Sequence, residues 1–139
     1  MKYLVDTSVW SLVLRRPDPG QAKVVALLGN LIDRGKAVLC GAVRQELLSG
    51  IKRPDQFKLL KIKLREFDEV PADIVDYELA AEFSNICRSN GVQASSTDFL
   101  LCALCVNHNL ALLTTDNDFA HIKKFVDFNL EIVRLSFIN

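Results

Sequence analysis

The sequence predicts an α/β fold with a central, mostly parallel sheet flanked by helices. Three short apolar segments, Lys2–Val5, Ala37–Cys40 and residues 110–113, have the length and composition of buried strands. Segments with helical spacing of apolar residues separate them, and strands that alternate with helices are typical of a parallel sheet covered on both faces. Because 139 residues, half of them hydrophobic, suffice to bury one core, we expect a single domain over residues 1–139.

Four helices are predicted in the first half of the chain. The first begins near Val9 and stops at residues 15–17, the second runs to about residue 34, and the third covers residues 42–50. Pro54 begins the fourth, whose predicted apolar stripe comprises Phe57, Leu60, Leu64 and Phe67. A short strand over residues 67–70 is expected to follow it.

In the second half, a fifth helix is predicted to end near residues 90–91, with an apolar stripe of Val75, Leu79, Phe83 and Ile86. A sixth opens at residues 95–97, of types that favour helix N-termini, and its residues 99–106 are apolar on every side. We expect that helix to be buried on most of its surface. A short turn or helix over 117–123 and a strand over 130–135 complete the prediction.

Composition limits the classes of partner. Lysine plus arginine equals aspartate plus glutamate at 17 each, so attraction to a nucleic acid must come from local basic patches or bound metal. The four cysteines lie in apolar segments and are expected to be reduced and buried. Asp6 interrupts the first apolar run, which argues against a signal peptide, and no segment is long enough to span a membrane. We therefore expect a cytoplasmic protein.

Four carboxylates are candidates for one site. Asp6 and Asp116 each come just after a predicted strand, and Glu46 and Asp98 lie near predicted helix starts. If the strands are neighbours in a parallel sheet, all four can converge at its carboxyl edge, where open α/β sheets bind ligands. Clustered carboxylates repel one another unless a cation neutralises them, and Mg²⁺ and Mn²⁺ prefer oxygen ligands. Such a site suits phosphodiester hydrolysis.

Each of these acids also has a purely structural explanation. Asp98 fits a capping box with Ser95, and Asp6 can cap the first helix. Asp116 can belong to a turn around residue 117, and Glu46 can be a solvated helix residue. The sequence leaves both explanations open.

The most basic region of the chain lies around the fourth helix. Its side chains are candidates for contacts with RNA phosphates, although a charged helix face is commonly just solvated. The candidates are Lys52, Arg53, Lys58, Lys61 and Arg65.

Four short motifs, in this order, resemble those of the PIN-domain family. They are VDTS at residues 5–8, QELL at 45–48, TD at 97–98 and LTTDNDF at 113–119. Within that family, the size and motifs are similar to VapC-type toxins of bacterial type II toxin–antitoxin modules. Thr115 departs from the commonest pattern, in which an arginine precedes the last acid.

The resemblance implies a three-layer fold and a Mg²⁺- or Mn²⁺-dependent endoribonuclease. Its catalytic and metal-binding acids would be Asp6, Glu46, Asp98 and Asp116, with Asp118, Thr7 and Thr114 as auxiliary residues. It also implies an RNA substrate, a homodimer and a small cognate antitoxin. Two alternatives remain: a catalytically silent RNA-binding PIN module, and another metal-dependent phosphohydrolase.

Overall fold

The sheet of this chain is parallel throughout. In the computed structural model, which describes residues 1–14 and 19–134, five strands pair in the order β3-β2-β1-β4-β5. Their bounds are β1 Lys2–Val5, β2 Ala37–Cys40, β3 Asp68–Val70, β4 Leu110–Thr114 and β5 Asn129–Ile132. The predicted α/β fold with a parallel sheet is confirmed.

Helices connect the strands. They are α1 Thr7–Leu14, α2 Ala22–Asp33, α3 Gly41–Ser49, α4 Pro54–Leu64, α5 Ile74–Ser89, α6 Ser96–Asn107 and α7 Asp118–Lys123, with a 3₁₀ turn at Pro19–Gln21. Connections from β1 to β2 and β3 run in one direction along the sheet, whereas those from β3 to β4 and β5 run in the other. Right-handed crossovers therefore place α1 to α4 on one face and α5 to α7 on the other.

The core lies on both sides of β2 and β4, which are buried along their whole length. Helix α6 is buried at every position from Phe99 to Cys105, as its uninterrupted apolar sequence predicts. All four cysteines are buried and free, as expected. The Trp10 ring is also buried and packs against Phe67, with ring centroids 4.9 Å apart.

Two predicted apolar stripes are wrong in part. On α5, Phe83 is buried as predicted, but Val75 and Ile86 are exposed, and the other buried positions are Asp76, Ala80 and Cys87. On α4, Leu64 is buried but Phe57 is exposed. Helix α4 packs against α3, so less of its surface is covered than the apolar spacing suggested. The predicted end of the first helix falls on residues outside the described part. The last strand ends at Ile132, so its predicted extension over residues 133 and 134 is wrong, and residue 135 lies outside the described part.

The hydrogen bonds of buried Asp76 explain why α5 turns a different face to the core from the one its apolar spacing predicts. Its Oδ1 accepts a hydrogen bond from Asn107 Nδ2 at 2.8 Å, and its Oδ2 lies 3.3 Å from His108 Nε2. Oδ2 also accepts from the backbone N–H of Asp73, which completes a capping box. These contacts join the start of α5 to the end of α6, so the two helices are antiparallel.

Over the ranges described, no helix has the length and apolarity needed to cross a bilayer.

Candidate active site at the acidic edge of the sheet

The candidate site lies where the chain reverses its direction along the sheet. Strands β1 and β4 are neighbours, paired with Val5 opposite Leu113, and their outgoing connections lead to opposite faces. Such a switch point opens a crevice at the carboxyl ends of the strands. Asp6 follows β1, and its N–H donates to the Leu113 carbonyl at 2.9 Å. Thr114 ends β4, so these two side chains meet at the crevice.

Asp6 is fixed by three hydrogen bonds. Its Oδ2 accepts from Thr114 Oγ1 at 2.8 Å and from Ser8 Oγ at 3.0 Å, and its Oδ1 accepts from the Thr7 N–H at 2.8 Å. Ser8 Oγ in turn accepts from the Thr115 N–H at 3.2 Å. Ser8 therefore ties the start of α1 to the end of β4. Sequence reasoning missed this role, because a serine after Asp6-Thr7 looks like an ordinary helix-start residue.

Thr114 also positions Asp116. The Thr114 hydroxyl accepts from the Asp116 N–H at 3.0 Å, so one buried hydroxyl contacts both strand-end acids. Asp116 Oδ1 accepts from the Asp118 N–H at 2.9 Å, which is the turn interaction anticipated for this segment. Asp118 itself is exposed at the first position of α7. Its auxiliary role stays a prediction.

Glu46 reaches the site from α3. Its Oε2 accepts a hydrogen bond from Thr7 Oγ1 at 3.0 Å, so Thr7 links α3 to the residue that follows Asp6. Glu46 and Thr7 line a cavity of about 480 Å³, whose other lining residues are Ala42, Gln45, Ser49 and Thr97. Thr97 precedes Asp98, so the cavity extends from Glu46 to the start of α6.

The capping role of Asp98 that the sequence left open is confirmed, and its role as a metal ligand stays a prediction. Ser95 N–H donates to its Oδ2 at 3.2 Å and Ser95 Oγ accepts from its N–H at 3.1 Å, which is a complete capping box. Burial raises the pKa of the Asp98 carboxyl; the hydrogen bonds with Ser95 lower it, and the charges of Asp6 and Asp116 raise it further, with a net increase. The charges of Asp6 and Asp116 therefore reach the Asp98 carboxyl.

The acidic side chains of the described chain do not form a closed metal site. No three His, Cys, Asp or Glu side chains of the described chain are grouped closely enough to enclose an ion. Mg²⁺ characteristically uses one or two carboxylates, several waters and a substrate phosphate, and does not need such a cage. None of the salt bridges among the described residues involves Asp6, Glu46, Asp98 or Asp116. An oxygen-rich edge without a protein cation suits a hard divalent ion.

The five basic candidates are exposed and do not line the cavity beside Glu46. Arg53 pairs with Asp55 at 3.0 Å, and Lys58, Lys61 and Arg65 lie on or just after α4. Their contact with RNA stays a prediction.

Thr114→Val is expected to destabilise the protein by about 1–3 kcal/mol, because the partly buried Asp116 N–H loses its acceptor and the buried Asp6 carboxylate loses a donor. Urea unfolding at pH 7 measures this loss. Thr115→Val is the matched control, since Thr115 contributes its backbone N–H to Ser8 and its substitution leaves that donor in place. Equal unfolding midpoints for the two variants would contradict the role given to the Thr114 hydroxyl.

The fold and the acidic edge define an α/β protein with a ligand crevice at the switch point of a parallel sheet. A sequence model described as the PIN domain matches residues 3–125, and the chain therefore belongs to the PIN-domain family. No curated protein sequence matches this chain.

Solved structures with the same fold are similar over nearly the whole chain. One is FitAcB from Neisseria gonorrhoeae, at 23% identity and a TM-score of 0.73, with 92% of this chain and 95% of that chain covered. Another is VapBC2 from Rickettsia felis bound to a DNA fragment from their promoter. It has 19% identity and a TM-score of 0.77, and the match covers 96% of this chain and 99% of that chain. A third, a toxin–antitoxin complex from Klebsiella pneumoniae, has 18% identity and a TM-score of 0.68, with 91% of this chain and 97% of that chain covered. These likenesses confirm the fold.

Proposed function

We propose that this PIN-domain protein is a Mg²⁺- or Mn²⁺-dependent endoribonuclease that acts as the VapC-type toxin of a toxin–antitoxin pair. The observation that carries the proposal is the meeting of Asp6 and Asp116 at the switch point of the sheet, where the Thr114 hydroxyl contacts both, with Asp98 close enough for their charges to raise its pKa. The choice of RNA rests on the family resemblance of the four motifs. The toxin assignment is supported by structural neighbours that are toxin–antitoxin complexes.

In this proposal, four acids hold the cation: Asp6, Glu46, Asp98 and Asp116. Glu46 lines the cavity that Thr7 and Thr97 also line. When bound, the cation supplies an acidified water and neutralises charge on the phosphate. Thr114 and Ser8 keep the Asp6 carboxylate in one orientation through their hydroxyl groups. Thr7 does the same for Glu46. The protein thus provides pre-positioned oxygen ligands, which is its main contribution to metal-assisted hydrolysis.

The proposal extends to two protein partners, a small antitoxin and a second copy of the chain. Helix α4 exposes Phe57, Leu59 and Ile62 to water, with 69% of Leu59 accessible. Large exposed apolar side chains in one region are typical of protein contact surfaces. This surface supports a protein partner, and light scattering after gel filtration would decide whether the isolated chain is dimeric.

Incubation of the purified protein with total cellular RNA tests the activity. We expect discrete fragments in Mg²⁺ or Mn²⁺ and intact RNA in EDTA. A phosphomonoester substrate in parallel tests the phosphohydrolase alternative. Cleavage that persists in EDTA would contradict metal dependence, and intact RNA in every condition would favour a silent RNA-binding module.

A further inference from the structure

A second cavity borders the acidic site. It has a volume of about 440 Å³ and lies between α5 and α6. Thr97 lines both this cavity and the one beside Glu46, so the two are neighbours along the surface. Its polar lining residues include Ser84, Asn85 and Arg88 of α5 and Ser96 of α6.

The antiparallel packing of α5 and α6 puts Arg88 at the acidic end of the molecule. Asp76, near the start of α5, contacts Asn107 and His108 at the end of α6. Arg88, near the end of α5, therefore lies beside the start of α6, which carries Asp98. A positive side chain thus shares a cavity with Ser96 and Thr97, the residues that precede Asp98.

The Arg88 guanidinium makes no ion pair or hydrogen bond with the described residues, in contrast with Arg44 and Arg53, which pair with Glu69 and Asp55. Guanidinium groups match the geometry of phosphate oxygens. At the other end of the cavity, about 16 Å along α5, Tyr77 lines the wall with more than half of its surface exposed. An exposed aromatic ring is a platform for an unstacked base.

We propose that this cavity is a nucleotide subsite for single-stranded RNA, in which Arg88 binds a phosphate next to the scissile bond and Tyr77 contacts a base. The proposal rests on the proposed ribonuclease function and adds the path of the substrate. It places the RNA strand along α5, from the acidic crevice toward Tyr77. The exposed basic residues of α4 are not needed for this contact.

Equilibrium binding in EDTA tests the subsite without any cleavage. The probe is a fluorescein-labelled single-stranded ten-nucleotide RNA of mixed sequence, followed by fluorescence anisotropy at several salt concentrations. We expect Arg88→Met to raise Kd about tenfold and to lower the slope of log Kd against log salt by about 0.7. Arg88→Lys, which keeps the charge, should recover part of the affinity. Lys23→Met, at an exposed position of α2, is the matched control and should bind like wild type.

Equal Kd values for Arg88→Met and wild type, or no binding by wild type, would overturn the subsite. Such a result would favour a protein partner as the occupant of the cavity. Arg88 is exposed, so its substitution should leave the thermal midpoint unchanged, and a lowered midpoint would assign Arg88 a structural role instead. RNA cleavage in Mn²⁺ is measured separately. Cleavage by wild type with unchanged binding by Arg88→Met refutes the subsite alone, whereas Arg88-dependent binding without cleavage refutes the ribonuclease activity alone.

Discussion

Asp98→Asn is expected to abolish RNA cleavage and, at the same time, to stabilise the metal-free protein. Under the proposed function the activity should fall about a thousandfold, because the cation would lose one of its carboxylate ligands. Stability should rise because asparagine carries no charge into this half-buried position, where the charges of Asp6 and Asp116 oppose a carboxylate. Its side-chain oxygen can still accept from the Ser95 N–H, so the helix cap is kept. A side chain that lowers the stability of the folded protein is typical of a functional site.

The raised pKa of Asp98 determines how the stability difference between Asp98→Asn and wild type changes with pH. A carboxyl whose pKa is higher in the folded state than in the unfolded chain opposes folding once it is ionised. The stability advantage of Asp98→Asn should therefore be absent below about pH 4, grow as the pH rises, and be fully present at pH 7. Urea unfolding in EDTA at pH 4 and pH 7 measures it. A variant that is less stable than wild type at pH 7 would show that the Asp98 charge stabilises the fold.

Asp76→Ala is expected to cost about 3 kcal/mol of unfolding free energy at pH 7. The substitution leaves Asn107 Nδ2, His108 Nε2 and the Asp73 N–H without their common acceptor. It also removes the contact that fixes the end of α6 to the start of α5. Denaturant unfolding provides the measurement. Asp73→Asn, at the N-cap of the same helix, is the control, and it should be nearly neutral because asparagine caps a helix as well as aspartate does.

The effect of Asp76→Ala should also depend on pH. Burial raises the pKa of the Asp76 carboxyl, but hydrogen bonds from Asn107, Asp73 and His108 outweigh it, so the pKa is lowered overall. An acid with a lowered pKa contributes stability above its unfolded value, near 4, and loses that contribution as the pH falls through its folded value. The difference between wild type and variant should shrink in acid. A difference that stays constant down to pH 2 would assign the loss to packing alone.

The sheet could be predicted because its strands are short, uninterrupted apolar runs, which need no information from distant residues. The ends of β1 and β4 were also predictable, and with them the meeting of Asp6 and the segment around Asp116. The hydroxyl of Ser8 was not, because its partners Thr114 and Thr115 lie more than 100 residues away in sequence. The two strands come together only in the folded sheet.

Helix α5 shows a second limit of sequence reasoning. Apolar spacing favoured a stripe with Val75 and Ile86, whereas the fold buries Asp76, because its hydrogen-bonding partners are supplied 31 and 32 residues later. The same long-range packing brings Arg88 to the start of α6. At Asp98, the carboxylate that caps the helix also experiences the charges of Asp6 and Asp116. The capping pattern alone could not separate these roles.

Titration of Mn²⁺ into the protein, followed by calorimetry, tests most directly whether the acidic edge is a cation site. Asp127→Asn is the control, since the Asp127 side chain is fully exposed to solvent. Wild type and Asp127→Asn should bind Mn²⁺ with equal affinity, and Asp98→Asn should bind at least about tenfold more weakly. Absence of binding by wild type, or equal binding by Asp98→Asn, would contradict a metal-dependent function at this edge.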